Sequence, residues 1–534
     1  MAEPVLRLAN IQGDVIPGFH RSHEMFLFLA VDDAAAARVW LAGQAEGVTS
    51  AEDVMGLRRP DRDGRRMGEA KLRSAAVWRN VALGRGGFAL LGLDPDRMAD
   101  EAFRGGMAAR SVDLGDPRDP ARPGHPSKWS VGGAANPADV LVILASDDAD
   151  ALAAAGAAAE ASLAGLRLVH RQDGQLLPGE VEHFGFVDGI SQPAPRGRAS
   201  AAPEDFLVSR TLPPEDPDAG RLAKPGQPLL PAGQFVFGYE WLKDRMPRSG
   251  LGRAGPAAGD RADWSFDGSL MVVRQLRQDV FAFRDFLAAE AGRLSAEPGF
   301  AGLDAEALGA RLVGRWKGGG PLARFPDREQ IPANRFEFNH FGFADGARPM
   351  AAREGEEETE VAGAPADPDG LRCPMSAHIR KVNPRDATTD RGGGPETLLT
   401  MVLRRGIPYG APLPEGAASP EADPEAGRRG LMFVCYQASI VDQFEVLNSR
   451  WMNREFVPES GAGHDLIVGQ NNRPGEGNER RCPLRSAGAA DDTATVRAVA
   501  DWVVPTGGGY FFVPSISTLR LAGEPGAEGD AADR

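Results

Sequence analysis

Cysteine is scarce in this chain: Cys373, Cys435 and Cys482 are the only three among 534 residues. Thiols so far apart build neither a disulfide framework nor a zinc cluster, and they point to a reducing compartment, so the cytoplasm is expected. A basic excess is also missing. The formal net charge is −15, which disfavours nucleic acid and anionic membrane as partners, because phosphates are repelled. No stretch of about 18 uncharged apolar residues occurs, so no transmembrane helix is expected. The opening MAEPVLRLANIQGDVIPGF lacks the basic and apolar regions of a signal peptide and has no twin arginine. Walker-type loops, HExxH, GxSxG and CxxC are all absent. That removes the usual sequence grounds for a nucleotide hydrolase, a zincin, an α/β-hydrolase or a dithiol oxidoreductase.

What is present is an ordinary globular composition, 42% hydrophobic and 25% charged, able to bury a sizeable core. Residues 25–31 (MFLFLAV) and 140–145 (VLVILA) read as buried strands. Each is followed by aspartates that cap Ala-rich helices, over about 34–48 and about 149–163. Residues 88–93 and 166–170 read as further strands. In the second half, 269–276, 397–403, 431–437 and 510–513 read as strands, with helices over 279–290 and 441–452. A strand–helix–strand theme occurring twice predicts an α+β fold of two related halves, each an antiparallel sheet with helices packed on it. The expected division is an N-terminal domain over 1–205, a Pro- and Ala-rich linker and insertion over 206–262, a C-terminal domain over 263–522, and a disordered acidic tail over 523–534.

Four segments hold candidate chemistry. In CPMSAHIRK, His378 follows a proline-led turn, where an imidazole could ligate a metal through one nitrogen while a carboxylate holds the other. A capping or core histidine is the commoner occupant of such a place. In HFGFVDGISQP, Asp188 lies between glycines among phenylalanines, where partial desolvation raises a carboxyl toward proton transfer. An Asp-Gly turn explains the same residues. A near copy, HFGFADG, makes Asp345 a rival. Arg404 ends an apolar run before a turn and could reach a pocket, although such an arginine is more commonly solvated or paired with a surface carboxylate. Cys373-Pro374 could present a thiolate to a metal, although a buried inert cysteine is commoner.

Taken together, ANIQGDV, FGFVDGISQP, VGRW with GPL, CPMSAHIRKVNPRD, LRRGIPYG and GGYFFVPSISTL, in order from about residue 9 to about 519, resemble the dye-decolorising peroxidase family, in its longer-chain form. The resemblance implies two ferredoxin-like halves of the dimeric α+β barrel type, with one non-covalent haem b per chain in the C-terminal half. It implies a peroxidase that reduces hydrogen peroxide and oxidises dyes, phenols or other bulky organic reductants through a ferryl radical intermediate. A haem protein for carriage or deferrochelation is the alternative. Oligomerisation is left open. On this reading His378 holds iron, Asp188 moves the peroxide proton and Arg404 stabilises developing charge. Asp188 is preferred over Asp345 because only it precedes Ile-Ser-Gln-Pro. Leu431 and Phe433, on one face of a strand, are expected to line the distal pocket. Asp442, starting the next helix, is expected to accept the second imidazole proton. Arg380 is expected to reach a haem propionate or the surface.

Overall fold

The computed structural model describes residues 3–57, 73–242, 263–355, 357–414, 416–472, 478–486 and 493–523. Strands form where apolar residues run without alternation, which requires both faces to be covered. The N-terminal half runs β1 (His23–Val31), α1 (Ala34–Gln44), β2 (Trp78–Leu83), β3 (Val140–Ser146), α2 (Ala149–Ala161) and β4 (Leu166–Gln175). Its helices start where the sequence places acceptors. Asp33 takes the amides of Ala35 and Ala36, and Asp148 takes that of Ala151.

The C-terminal half repeats this plan. β5 (Ser269–Gln278) leads to α3 (Val280–Leu294), α4 (Ala305–Val313) and the short α5 (His378–Val382). Then come β6 (Leu403–Arg404), β7 (Ile407–Tyr409), β8 (Gly430–Gln437), the π-helical turns Ile440–Phe444 and Val446–Met452, and β9 (Val503–Val513). The strand order is β2-β3-β1-β4 in one half and β6-β8-β5-β9 in the other, with β7 also on β8. In both halves the first strand therefore lies between the third and the fourth, which is the ferredoxin-like arrangement.

Phe512 of β9 pairs with Leu83 of β2, and this contact fuses the halves into one nine-stranded antiparallel sheet. The sheet curls. Phe26, Phe28, Met271, Val273, Met432, Val434 and Phe511 fill its inner side. Leu27, Leu29, Leu270, Val272 and Phe512 pack on the outer side, in the cluster that also holds Leu41 of α1 and Leu152 of α2. The far edges come together at Gly174 of β4, where an added Cβ would stand 2.6 Å from Ile407 of β7.

Two expected strands are helical instead. Of residues 88–93, Phe88 to Leu91 belong to the turns Arg85–Phe88 and Ala89–Leu91, and the strand of that region is Trp78–Leu83. Gly86 and Gly87 sit so close to Asp139 that a Cβ on either would come within 2.0 Å of it, and the following apolar run buries Phe88, Leu90 and Leu91 from a helical turn. A short apolar run carries no period that separates the two states. Residues 397–403 form the turns Gly394–Thr397 and Leu398–Thr400, and only Leu403–Arg404 is strand. Pro395 opens that turn, and the Thr397 and Thr400 hydroxyls donate back to the Gly394 and Thr397 carbonyls at 2.7 and 2.8 Å.

Of the expected linker, residues 206–242 are folded: Leu222–Lys224 pairs with Gln227–Leu230, which also takes Ala194–Pro195 alongside. Residues 243–262 and 524–534 of the expected linker and tail lie outside the described residues. Among the described residues, no helix is long and apolar enough to cross a membrane.

Because Gly174 spaces the two sheet edges, Gly174→Val is expected to lower stability by about 1–3 kcal/mol through overpacking. Urea unfolding checks this, with Gly174→Ala expected to fall between the parent and Val.

Candidate functional site

In the C-terminal half the helices stand off from the sheet and leave an open cavity of about 1870 Å³, mouth included. Arg274 and Leu276 of β5 and Leu431 and Phe433 of β8 form one wall. His378 and Val382 of α5 and Phe444 and Leu447 of the π-helical turns also line it. Widened turns of this type recur beside functional sites, where they re-aim side chains.

His378 opens α5. Its Nδ1 lies 2.7 Å from Oδ2 of Asp465, a carboxylate with no solvent exposure. The other carboxylate oxygen, Oδ1, accepts the amides of Ile467 and Val468 at 2.9 and 3.2 Å. An acceptor-only carboxylate on Nδ1 fixes the proton there and leaves the Nε2 lone pair for a ligand. Burial pushes the imidazole pKa down, but the Asp465 charge outweighs it, so the ring stands above its ordinary value. Asp465 is pulled below the usual carboxylate range by the same contact, against its own burial. The helix behind the ring is bolted down. Lys381 Nζ donates to the Arg454, Val457 and Gly463 carbonyls, and Arg380 forms a bidentate pair with Glu459 at 2.7 and 2.8 Å.

Asp188 and Arg404 meet in the same cavity. Arg404 Nη1 donates to Asp188 Oδ1 at 2.7 Å, and Nη2 donates to the Ser191 carbonyl at 3.1 Å. Gly189, at φ 76°, turns the chain so that its amide also reaches Asp188 Oδ1, at 2.6 Å. The Asp188 side chain is 41% exposed, and the cavity it lines accounts for that exposure. Burial in the protein raises its carboxyl, as the sequence suggests, but the Arg404 guanidinium reverses this and holds it below the usual range. The carboxylate is therefore ionised and poised to accept a proton.

Two more guanidinium groups line the cavity. Arg315 donates to the Gly319 and Phe338 carbonyls and to Asn339 Oδ1, and Arg385 to the Asn339 and Phe341 carbonyls. Among the described residues, neither has a carboxylate in salt-bridge range. Burial, then the neighbouring Arg385, pushes Arg315 down to about 9, and burial pushes Arg385 down to about 10. Buried cations served only by neutral acceptors favour an anionic guest.

The cavity thus brings together His378, Asp188, Arg404, Leu431 and Phe433. Asp442 and Arg380 do not belong to it. The carboxylate on His378 is Asp465, whereas Asp442 sits in a helix first turn with its amide on Ser439 Oγ at 3.2 Å. Arg380 is fully buried against Glu459 and Asp367, reaching neither the cavity nor the surface. The rival Asp345 is exposed outside the cavity, in a turn whose amides at Phe343, Ala344 and Asp345 all donate to Asp386. Cys373 is buried outside the cavity lining, with its thiol pushed up to about 12 by burial, so no thiolate is presented. Asp465 was findable from its setting: in GHDLIVG it is an acid inside an apolar run, as Asp188 is.

The sequence profile of the DyP dimeric alpha+beta barrel domain matches residues 10–176. A dye-decolorizing peroxidase of Mycetinis scorodonius is 31% identical over 531 residues, 96% of this chain and 87% of the relative. The solved structure of an ancestral D-type dye decolorizing peroxidase matches with a TM-score of 0.74 at 28% identity, over 97% of this chain and 99% of that one. A dye-decolorizing peroxidase solved in complex with 2,6-dimethoxyphenol matches with a TM-score of 0.69 at 27% identity, over 97% and 100%. A deferrochelatase of Yersinia pestis matches over 101 residues only, 18% of this chain and 20% of the relative.

Asp465→Asn keeps a hydrogen-bond acceptor but removes the charge that raises His378. The ring's titration midpoint in the ligand-free chain, followed by NMR, is expected to fall below that of the parent. An unchanged midpoint would contradict the electrostatic account.

Proposed function

The chain belongs to the dye-decolorising peroxidase family, and from that premise we propose that its cavity holds haem on His378 and that Asp188 and Arg404 act there on hydrogen peroxide. The enzyme is a haem peroxidase that oxidises dyes and phenols. The observation that carries the site assignment is the convergence of a carboxylate-backed imidazole with an ion-paired Asp and Arg around one cavity.

The residues present fit the group. His378 Nε2 is a free nitrogen donor on the cavity, the walls are predominantly apolar, and Arg315 and Arg385 are buried cations suited to propionates. No cysteine lines the cavity, which supports a non-covalent haem b, one per chain. Bound haem supplies the redox-active iron that accepts two oxidising equivalents from peroxide and passes them to organic donors one electron at a time.

The protein's own contribution is proton handling, charge and exclusion of water. Asp188, ionised under the influence of Arg404, takes a proton from hydrogen peroxide on its carboxylate and returns it to the departing oxygen. The Arg404 guanidinium, fixed by Asp188 and the Ser191 carbonyl, stabilises the negative charge that grows on that oxygen. Leu431 and Phe433 keep this side of the cavity apolar. Asp465 pulls on the His378 Nδ1 proton and gives the ring imidazolate character, which strengthens its donation through Nε2. Haem carriage would need only the imidazole and the arginines, so it leaves the Asp188–Arg404 pair without a purpose. The buried, unpaired cysteines support a reducing compartment such as the cytoplasm.

Absorption spectra test this reading. Asp188→Asn and Arg404→Leu are expected to retain the haem Soret band while slowing the reaction with peroxide by about 10²–10⁴-fold. His378→Ala is expected to lose or loosen haem. A parent-like peroxide rate in both distal variants would overturn the assignment, and a haem-loaded parent that oxidises no dye at any pH would favour carriage.

The sign of the pH effect follows from the pair. Asp188 must be ionised to accept a proton, and its lowered pKa keeps it so to below the usual carboxylate range. In Arg404→Leu the main opposition to burial is gone, and only the Gly189 amide and the His378 charge remain to lower the Asp188 carboxyl. The acidic limb of whatever peroxide reaction remains is expected to move to higher pH, as read by stopped-flow rates across pH.

A further inference from the structure

We propose that Gln192 is the positioning residue of the distal pair: its side-chain amide completes the edge of the strand that carries Arg404 and so sets that guanidinium against Asp188. This rests on the reading of Asp188 and Arg404 as the pair that meets peroxide.

β6 is two residues long, and among the described residues its only strand neighbour is β8, with Arg404 opposite Cys435. The next backbone bond to β8 is made by the Arg405 amide, to the Val434 carbonyl at 2.8 Å. The amide and carbonyl of Arg404 point away from β8, to the open edge, where such groups need another partner. Gln192 supplies it. Its Oε1 accepts the Arg404 amide at 3.1 Å, and its Nε2 donates to the Arg404 carbonyl at 3.1 Å. A carboxamide has the donor and acceptor of a peptide group, so one side chain stands in for a third strand.

Gln192 is itself anchored. Its carbonyl accepts from Gln227 Nε2 at 3.0 Å, and two residues later Ala194 pairs with Leu229. On the other side, the Ile190 carbonyl accepts from Asn339 Nδ2 at 2.8 Å. Residues 188–192 therefore hold Arg404 at both ends. Asp188 and the Ser191 carbonyl take the guanidinium, and Gln192 takes the backbone. Without the Gln192 carboxamide, the Arg404 amide loses its partner, the carbonyl keeps only Arg405 Nη1 at 2.8 Å, and the guanidinium is free to slide along Asp188. Few residues can replace it. Asparagine carries the same group one methylene short. Glutamate offers two acceptors and would set a charge against the Arg404 carbonyl. Leucine fills the space and bonds neither group.

The test uses full-length, haem-loaded Gln192→Asn and Gln192→Leu. Both are expected to keep the Soret band and to lose about 10²-fold in the second-order rate with peroxide, the penalty of a misplaced catalytic group. At saturating peroxide, dye oxidation should keep its KM for dye. A second readout is independent of turnover: carbon NMR of side-chain-labelled aspartate in the chain loaded with zinc protoporphyrin, with Asp188→Asn assigning the signal. Asp188 is faced by Arg404, Glu182 and His378. Loosening the first of these moves the Asp188 titration midpoint upward, and the acidic limb of the peroxide reaction moves with it. Variants that hold porphyrin and keep the parent midpoint and peroxide rate would overturn the proposal. So would variants that lose porphyrin or melt early with no shift in the midpoint, since that is a structural role only. If Asp188→Asn and Arg404→Leu react with peroxide at the parent rate, the function assigned to the pair falls, while the midpoint shift still judges Gln192.

Discussion

The curl of one sheet governs this molecule. β4 and β7 begin as opposite edges of a nine-stranded sheet, and the site exists because the sheet bends until Gly174 and Ile407 lie against each other. Asp188 hangs from the loop after β4, and Arg404 sits just before β7. A flat sheet would hold them a full sheet width apart. The approach requires a residue without a side chain at the point of closest contact, an inner side filled by interlocking aromatic and branched residues, and a single junction, Phe512 against Leu83, that lets two similar halves behave as one surface.

Charge in the cavity is arranged in two different ways. The imidazole and the distal carboxylate each have an opposite charge in contact, Asp465 for one and Arg404 for the other, and in both cases that contact outweighs the cost of burial. Arg315 and Arg385 are left with neutral acceptors and are depressed to about 9 and about 10. The first arrangement sets protonation states before any ligand arrives. The second leaves positive charge uncompensated, which a dianionic guest would neutralise on binding. Both depend on low dielectric, where a missing partner costs more than it would in water.

Much of the site was legible because Asp188 and His378 sit in long ordered strings that resemble one family; on their own surroundings an Asp-Gly turn and a capping or core histidine explain them better. The capped Ala-rich helices and the continuous apolar strands were readable from local pattern alone. The failures have physical causes. Residues 88–93 and 397–403 are short apolar runs, and neighbouring side chains, not their own period, decide their state. Asp442 stands close to a strand end, but the partner of His378 comes from a loop 87 residues later in the chain. Arg380 is two residues from His378 along the chain, but a helix turns, and residues two apart point different ways. The burial-only view of Asp188 erred in sign because it omitted a cation 216 residues away. Such long-range pairings leave no local trace.

The anchoring of α5 has a further consequence. Lys381 and Arg380, both without solvent exposure, rivet the short helix to the loop that carries Asp465, so the ring and its carboxylate form one stiff unit. A support of this kind barely relaxes when the charge at its tip changes. With haem held on His378, the nuclear rearrangement accompanying a change of charge there would be correspondingly small, and less of the driving force would be lost as motion.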